Sequence, residues 1–384
     1  MAAQWVTGVL EGMLAAQLAL RDGLHALGLT PLVAGQPQWP FAHRLAAEMM
    51  WIDPGHARRV AITGLCILFA AFLLLATLLR VGWKARLGLV SSATAALIFA
   101  PWPASHLLWA EATPTSLHRN ASDFSPASIL RGLALFQQHC QQCHGADARG
   151  EGPQANKLAM WPPNLAGGLL WKRLEGELFW HVRHGMRSAR TGRETMPGTA
   201  DIAMTDADIW KVLDYLQANA AGQTLRSVGV WERPVRLPRF QMRCRNGGER
   251  SSASFLGQRL LIALPSDDRA AQAVEDPRWV SVVLGSAADA ECVPHDEQLL
   301  SALALLLGDT EQGARGQQLL VDRDGWLRAR SKPGLSAWSV DDLICRTESG
   351  GAKPSANANE QGIDALLRRM DDDPVRLVRA GFPH

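Results

Sequence analysis

The sequence predicts a multidomain protein in which a short transmembrane α-helical anchor is followed by an all-α domain and then by an α/β domain. Three observations support this prediction. They are an uncharged run of twenty residues at 60–79, a CxxCH motif in a segment with helical periodicity, and alternating strand and helix patterns after residue 234. The length of 384 residues also exceeds what one hydrophobic core usually serves.

The charge balance argues against nucleic-acid binding. The chain has 39 Lys and Arg residues against 37 Asp and Glu residues, so it carries no strong positive field that would attract a polyanion. Its six cysteines are too few for a disulfide scaffold in a chain of this length. We therefore expect membrane and protein partners but no nucleic acid.

Residues 1–110 are predicted to form the membrane anchor. The run VAITGLCILFAAFLLLATLL at 60–79 has the length needed to cross the hydrocarbon layer as a helix. A second apolar run at 87–103 is shorter, and Trp102 could anchor it at the interface as a return helix. A weaker segment at 4–20 contains a glutamate and has three interpretations: a third spanning helix, an interfacial helix or an ordinary packed helix.

Basic residues in the turn between the two apolar runs indicate on which side of the membrane this turn lies. These residues are Arg80, Lys84 and Arg86. Because short basic loops prefer the cytoplasm, the chain after about residue 104 is expected on the outer face. Basic residues at 56–59 flank the first run as well, so charge alone does not decide the orientation.

The segment FQQHCQQCHG at 136–145 contains the motif CxxCH as Cys140, Cys143 and His144. Two thiols at this spacing can bond both vinyl groups of a haem, and the adjoining imidazole can then reach the iron. A redox dithiol or half of a zinc site are the alternatives. Zinc would need a second ligand pair, and a thioredoxin-type site would need a preceding strand. The preceding residues instead have helical periodicity, with Ser125 as the expected N-cap. Covalent haem is attached outside the cytoplasm, which agrees with the basic turn.

A sixth iron ligand is expected downstream of the motif. Met196 is the best candidate, because Pro197 follows it in the polar run RSARTGRETMPGT and would stiffen the backbone that presents the thioether. The alternatives are Met160, Met186, Met204, His181 and His184. Of these, Met186 is expected to lie in a helical stretch, LFWHVRHGM.

Two further features fit a domain wrapped around a ring. A helix is predicted from Thr205, with Asp208 completing a capping box. The run WPPNL at 161–165 suits backbone that lies close to the ring edge, and the carbonyl of Pro163 could bind the second nitrogen of His144.

With CxxCH, WPPNL, Met-Pro and a terminal helix in this order, residues 126–222 resemble a class I monohaem cytochrome c domain. The resemblance implies one covalently bound haem c and makes Met196 the axial partner of His144. It also implies a helix crossing near Gly132 and Tyr215. The resemblance implies an electron carrier. Because no acid, base or nucleophile constellation is visible in the sequence, we expect the chain to transform no substrate itself.

Upstream, residues 36–132 resemble the last membrane portion of copper-resistance protein D fused to a cytochrome c. The resemblance is carried by QPQWPFAHRLAAEMMW and ATPTSLHRNASDFSPASILRG. That family has several more spanning helices, so the anchor is expected to be a truncated version of it. Copper handling is accordingly one functional hypothesis, in addition to the two stated at the end of this subsection.

Residues 234–346 are predicted to form the α/β domain. Strands are predicted at 259–264 and 279–285, a helix through Leu299 and Leu303, and a hairpin about Asp324. The pattern resembles the thioredoxin superfamily. Where an active member would carry CxxC, this chain has Pro265, Ser266, Asp267, Asp268 and Arg269, so we expect a degenerate, non-catalytic domain.

The remaining cysteines and the tail complete the predictions. A disulfide between Cys244 and Cys345 is predicted, because both flank the α/β core, with Cys292 left in a loop. The tail 347–384 is predicted to be flexible, with a short helix at 362–370.

The leading functional prediction is single-electron transfer at the inner membrane, with the haem and thioredoxin-like domains in the periplasm and redox proteins as partners. The second hypothesis is a haem-bearing interaction subunit of a larger membrane oxidase or dehydrogenase complex.

Overall fold

The computed structural model describes most of the chain and divides it into two compact units. One unit comprises Met1–His118 with Val378–Phe382, and the other Arg119–Leu377 with Pro383–His384. The described residues are 2–46, 54–79, 82–167, 170, 173–199, 202–231, 234–245, 248–265, 276–285, 290–331, 338–345, 362–375, 377–378 and 382–383. The basic turn residue Arg80, the segment 266–269 and the predicted connector 348–359 lie outside them.

The first unit is built mainly from three helices. They are α1 (Ala2–Ala26), α2 (Pro54–Ala76) and α3 (Trp83–Ile98). Its smaller elements are β1 (Leu32–Val33), β2 (Gln36–Pro37), β3 (His43–Leu45), α4 (Ser105–Leu108) and β4 (Trp109–Glu111), with β1 pairing β2 and β3 pairing β4. All three predicted apolar runs are thus helical, and α2 and α3 begin several residues earlier than predicted.

Helix α2 has the properties of a membrane span. Among the described residues, one helical stretch, Gly55–Ala76, is long and apolar enough to cross a membrane by length and composition. Large apolar side chains project from it, with Leu65, Leu68 and Phe72 each 66–68% exposed. A core helix of a water-soluble domain would bury such side chains. Helices α1 and α3 do not meet the same criterion.

The second unit begins with the helices around the CxxCH motif. They are α5 (Pro126–His139), α6 (Gln141–His144), α7 (Glu175–His184) and α8 (Asp206–Val228), with the short strands β5 (Met186–Arg187) and β6 (Glu194–Met196) between α7 and α8. The predicted N-cap of α5, Ser125, accepts a hydrogen bond from the Ser128 amide, and the Thr205–Asp208 capping box of α8 is also confirmed. The β5–β6 hairpin is a departure from the all-α prediction.

Helices α5 and α8 cross at Gly132, as the cytochrome resemblance implied. A Cβ atom at this position would overlap the carbonyl oxygen of Lys211 and approach the Cβ of Tyr215 to 2.9 Å. Only glycine therefore permits the close approach of the two backbones. Next to the crossing, the rings of Phe136 and Tyr215 pack with centroids 5.1 Å apart.

The rest of the second unit is a curved eight-stranded sheet with the strand order β7-β14-β13-β10-β11-β12-β8-β9. Its strands are β7 (Val235–Arg236), β8 (Gln241–Cys244), β9 (Glu249–Ser251), β10 (Arg259–Ala263), β11 (Trp279–Val283), β12 (Cys292–Pro294), β13 (Gln318–Val321) and β14 (Trp326–Ser331). The three central strands β10, β11 and β12 are parallel, and the flanking pairs are antiparallel. Strands β10 and β11, helix α9 (Leu299–Leu307) and the β13–β14 hairpin confirm the sequence predictions. A single turn of helix, α10 (Glu311–Ala314), follows α9.

The predicted Cys244–Cys345 disulfide is wrong. Cys244 is bonded to Cys292, because the adjacent antiparallel strands β8 and β12 place these two residues directly opposite each other. No local pattern around either cysteine indicates that the two lie on paired strands. Cys345 is a free, buried cysteine, and burial raises the pKa of its thiol to about 12.

The helical part and the sheet of the second unit share one hydrophobic core. Ile129, Ala218 and Leu225 pack in the same cluster as Leu299 and Leu303 of α9. Helices α8 and α9 approach so closely at Gly222 that a Cβ there would overlap the Leu305 carbonyl oxygen. The packing of this unit is therefore continuous from the CxxCH helices to the sheet.

The end of the chain contributes a helix to the sheet rather than a wholly flexible tail. Helix α11 (Ile363–Asp372) buries Leu366, Leu367 and Met370 in the cluster around Leu320. An ion pair of 2.5 Å links Arg259 to Asp371. The sequence predicted the helix but not its packing, because contact with the distant strand residue Leu320 depends on the tertiary fold and not on local periodicity. Two short strands, β15 (Leu377–Val378) and β16 (Phe382–Pro383), pair beyond α11.

Candidate cofactor site

The CxxCH motif lies where α5 ends and the short helix α6 begins. Cys140 is the capping residue between the two helices, and its carbonyl oxygen accepts hydrogen bonds from the amides of Cys143 and His144 at 3.1 and 2.9 Å. One turn of helix therefore brings both thiols and the imidazole together. All three residues are half-buried.

The chain after the motif folds back onto it through backbone hydrogen bonds. The amides of Gly150 and Gly152 donate to the carbonyls of His144 and Cys143 at 2.8 and 3.1 Å. A Cβ at Gly152 would overlap Gln142, and one at Gly150, where φ is +89°, would overlap Pro162. The Gly-rich loop and the WPPNL run thus form a close backbone cradle around the motif.

The two thiols do not have the properties of a redox dithiol. Both are free rather than disulfide-bonded. Burial, with a smaller contribution from Cys143, raises the pKa of the Cys140 thiol to about 11. Reactive CxxC motifs instead lower the pKa of one thiol so that the thiolate forms near neutral pH. The environment therefore disfavours the dithiol alternative.

The imidazole of His144 is held in a largely apolar setting. Its Nδ1 is buried and makes no hydrogen bond of normal geometry with a described residue. Burial lowers the pKa of His144, and the nearby Pro163 carbonyl opposes that shift. The ring of Phe136 lies nearby, with centroids 6.5 Å apart. A neutral imidazole with a carbonyl beside it is the form that binds a metal.

Met196 lies in the β5–β6 hairpin, directly opposite Met186. The expectation that Met186 lies in a helix is wrong, because α7 ends at His184 and Gly185 adopts a φ of +73°. A Cβ at Gly185 would lie 2.6 Å from the Gly198 amide nitrogen, so the hairpin is tightly fixed to the end of α7. The structure therefore brings two thioethers together where the sequence analysis had favoured one.

The other candidate ligands are dispersed. Met160 is 55% exposed, and Met204 lies just before α8. His181 and His184 are in the last turn of α7, where burial lowers the pKa of both. The His184 ring packs against Trp180, with centroids 3.8 Å apart.

Comparison with known proteins identifies the domain that contains the motif. Residues 127–216 match the family described as “Cytochrome C oxidase, cbb3-type, subunit III”. That range contains the motif, the cradle and the methionine hairpin. Residues 127–216 form a cytochrome c domain. A cytochrome c domain implies haem c and a role in electron transfer.

Two known proteins are similar to parts of the chain. Thiosulfate dehydrogenase of Stutzerimonas stutzeri (strain A1501) is 25% identical over 138 residues, which cover 34% of this chain and 40% of that protein. The alignment thus covers well under half of that relative. A chain of the Kuenenia stuttgartiensis reducing HAO-like protein complex has 18% identity and a TM-score of 0.20, covering 36% of this chain and 61% of that one.

The residues of the cytochrome c domain fit a covalently bound haem. Two free thiols adjoin an imidazole with an unsatisfied buried nitrogen, within a backbone cradle that side chains would block. In the parts of the chain that the structure describes, no group of three or more His, Cys, Asp or Glu residues could hold another metal ion.

A buried carboxylate in the same domain escaped the sequence analysis. Asp214 of α8 is 1% exposed and accepts hydrogen bonds from Asn120 at 2.7 Å and from the hydroxyls of Ser122 and Ser128. Burial raises its pKa, and the three hydrogen bonds oppose the shift. The one sequence signal for this buried carboxylate is the position of Asp214 within the otherwise apolar pattern LDYL. The network ties the segment before α5 to the last helix of the domain.

Proposed function

We propose that this protein is a membrane-anchored c-type cytochrome that transfers single electrons on the periplasmic side of the inner membrane. The observation that carries the proposal is the CxxCH turn inside a matched cytochrome c domain, with its free thiols and unsatisfied imidazole nitrogen. One haem c is expected, because the sequence contains one CxxCH motif.

Each residue of the site has a distinct role. Cys140 and Cys143 would hold the haem through their thiols, and His144 would bind the iron with the Pro163 carbonyl beside its ring. Met196 would supply the second iron ligand, on a hairpin fixed by Gly185. When bound, the haem supplies one-electron chemistry at a potential that a thioether ligand raises. The cradle keeps water away from the imidazole and limits ligand rearrangement.

Membrane attachment is proposed for the first unit. The exposed leucine and phenylalanine side chains of α2 favour lipid as their surroundings, since water would make their exposure costly. Helix α3 would return the chain across the membrane, and α1 remains open to the three interpretations above. Attachment of haem outside the cytoplasm then requires the cytochrome c domain to be exported.

The sheet that shares the cytochrome core is proposed to be a non-catalytic, thioredoxin-like domain. Its parallel strands β10 and β11 and the antiparallel β13–β14 hairpin favour that topology. Its two paired cysteines lie on strands β8 and β12, which makes their disulfide a structural bond rather than a cycling dithiol. The domain would support the position of the cytochrome helices.

Replacement of Met196 tests the axial assignment. The Met196→Ala variant is expected to retain covalent haem but to lose the thioether ligand, which lowers the reduction potential and changes the optical spectrum. Potentiometric titration and absorption spectroscopy of the purified protein measure both properties. The matched control is Met186→Ala, on the facing strand of the same hairpin. A shifted spectrum in Met186→Ala together with an unchanged spectrum in Met196→Ala would transfer the assignment to Met186.

A second candidate function is that of a haem-bearing subunit in a larger membrane oxidase or dehydrogenase complex. It is favoured by the match to a family whose description names an oxidase subunit. In that case the full chain, purified from its own membranes in mild detergent, is expected to migrate with other chains well above its own 41.8 kDa. Migration alone with full haem content would contradict the subunit hypothesis and leave the free carrier.

A further inference from the structure

The hairpin that carries Met186 and Met196 displays a concentrated positive charge. We call residues 186–196 the arginine hairpin. Its turn carries three exposed arginines, Arg187, Arg190 and Arg193. The turn is held by hydrogen bonds from the Ser188 amide to the Arg193 carbonyl and from the Gly192 amide to the Ser188 carbonyl, both 2.8 Å. The charges are therefore presented on a defined loop rather than on a loose one.

Basic residues outnumber acidic ones in and around the hairpin. Residues 178–196 contain four arginines and one acid, Glu194, which lies opposite Arg187 in the hairpin, whereas the whole chain has a net charge of only +2. Arg183, the fourth, forms an ion pair with Asp206. The three turn arginines form no ion pair with a residue that the structure describes. A local excess of positive charge on a nearly neutral protein is a feature of surfaces that steer a negatively charged partner.

We propose that the arginine hairpin is the docking surface for an acidic redox protein that exchanges electrons with the cytochrome c domain. The inference deepens the proposed function and rests on it. The hairpin carries the candidate axial methionine, so a partner that binds there is placed beside the redox centre. Met186, which is 43% exposed, adds an apolar contact to this surface.

The shape of the surface favours a protein over other anionic ligands. Small anions are usually bound in concave sites by convergent donors, whereas these arginines project from a hairpin turn. Docking to anionic lipid usually combines basic residues with apolar anchors, and the turn sequence RSARTGR has none. Transient electron-transfer partners form small contacts that depend on complementary charge.

The test replaces all three turn arginines by glutamine in the full-length protein, as R187Q/R190Q/R193Q. The matched control removes three other exposed arginines of the same unit, as R131Q/R243Q/R323Q. Because the two variants lose equal charge, a difference between them reports position rather than net charge. Haem content of each protein is measured first, by haem-stained denaturing gel.

Binding and electron transfer are then measured with defined probes at low ionic strength. Immobilised polyglutamate is the acidic polypeptide, and ferricyanide and hexaammineruthenium are the anionic and cationic oxidants. Compared with the wild type, the hairpin variant is expected to bind polyglutamate roughly tenfold more weakly. It is also expected to react more slowly with ferricyanide but at an unchanged rate with hexaammineruthenium. The control variant is expected to behave as the wild type, and added salt should remove the difference.

Several results would overturn the inference. Equal losses in the two variants would show that only net charge matters. Unchanged ferricyanide rates in the haem-loaded hairpin variant would place the hairpin away from the redox centre. Binding of the wild type to phosphatidylglycerol vesicles but not to polyglutamate would make lipid the ligand. Wild-type protein without covalent haem would instead contradict the proposed function, and the polyglutamate result would then still report on the hairpin charge.

Discussion

Exported protein in which both Cys140 and Cys143 are replaced by alanine is expected to carry no covalently bound haem. The thioether bonds require both thiols, and the structure leaves both free for that purpose. The loss should be complete on a haem-stained denaturing gel of protein made with a working attachment pathway. Iron binding by His144 alone would not survive denaturation.

The matched control replaces the two other free cysteines, as C66A/C345A. These residues lie outside the CxxCH motif, so this variant is expected to stain like the wild type. Equal staining of the C140A/C143A variant and the control would contradict the assignment of the motif. Loss of staining in both would point to a general defect of export or folding, which immunoblotting of the membrane fraction detects.

The Asp214→Ala variant is expected to lose about 3 kcal/mol of unfolding free energy, because three donors would lose their buried acceptor. Chemical denaturation followed by fluorescence measures the change. The matched control is Asp123→Ala in the same segment, whose carboxylate is exposed and pairs with Arg239 at 3.5 Å. Such a surface pair contributes at most about 1 kcal/mol. Equal losses of unfolding free energy in the two variants would mean that the buried network contributes no more to stability than the exposed ion pair does.

The same network predicts the sign of a pH dependence. Burial raises the pKa of Asp214 above its usual 3.8, and it also raises the pKa of the neighbouring Glu175. The folded state therefore holds these protons more tightly than the unfolded state. Their contribution to stability is complete below a pH of about 4 and declines as the pH rises through the folded-state pKa values. The Asp214→Ala variant should show a smaller decline over this range than the wild type.

Features with strong local signals could be predicted from the sequence. The CxxCH motif, the Ser125 and Thr205 helix caps and the buried strand β10 each depend on neighbouring residues, and the structure contains all of these local elements. The uncharged run at 60–79 likewise predicted a helix. These signals arise from covalent spacing, capping and periodicity, which do not depend on distant parts of the chain.

Features that depend on tertiary packing could not be predicted in the same way. The Cys244–Cys292 bond requires knowledge that β8 and β12 are neighbours in the sheet. The pairing of Met186 with Met196 depends on Gly185 ending α7, a signal that the apolar pattern of LFWHVRHGM obscured. The shared core of helices and sheet depends on two backbones meeting at Gly222, which no local pattern indicates.

Intact-protein mass spectrometry after acid–acetone extraction tests the central claim most directly. The full-length protein, produced with a working haem-attachment pathway, is expected to retain the added mass of one haem after extraction, located on the peptide that contains Cys140 and Cys143. Protein whose mass equals that of the polypeptide alone, with its pigment in the acetone phase or no pigment at all, would contradict the account.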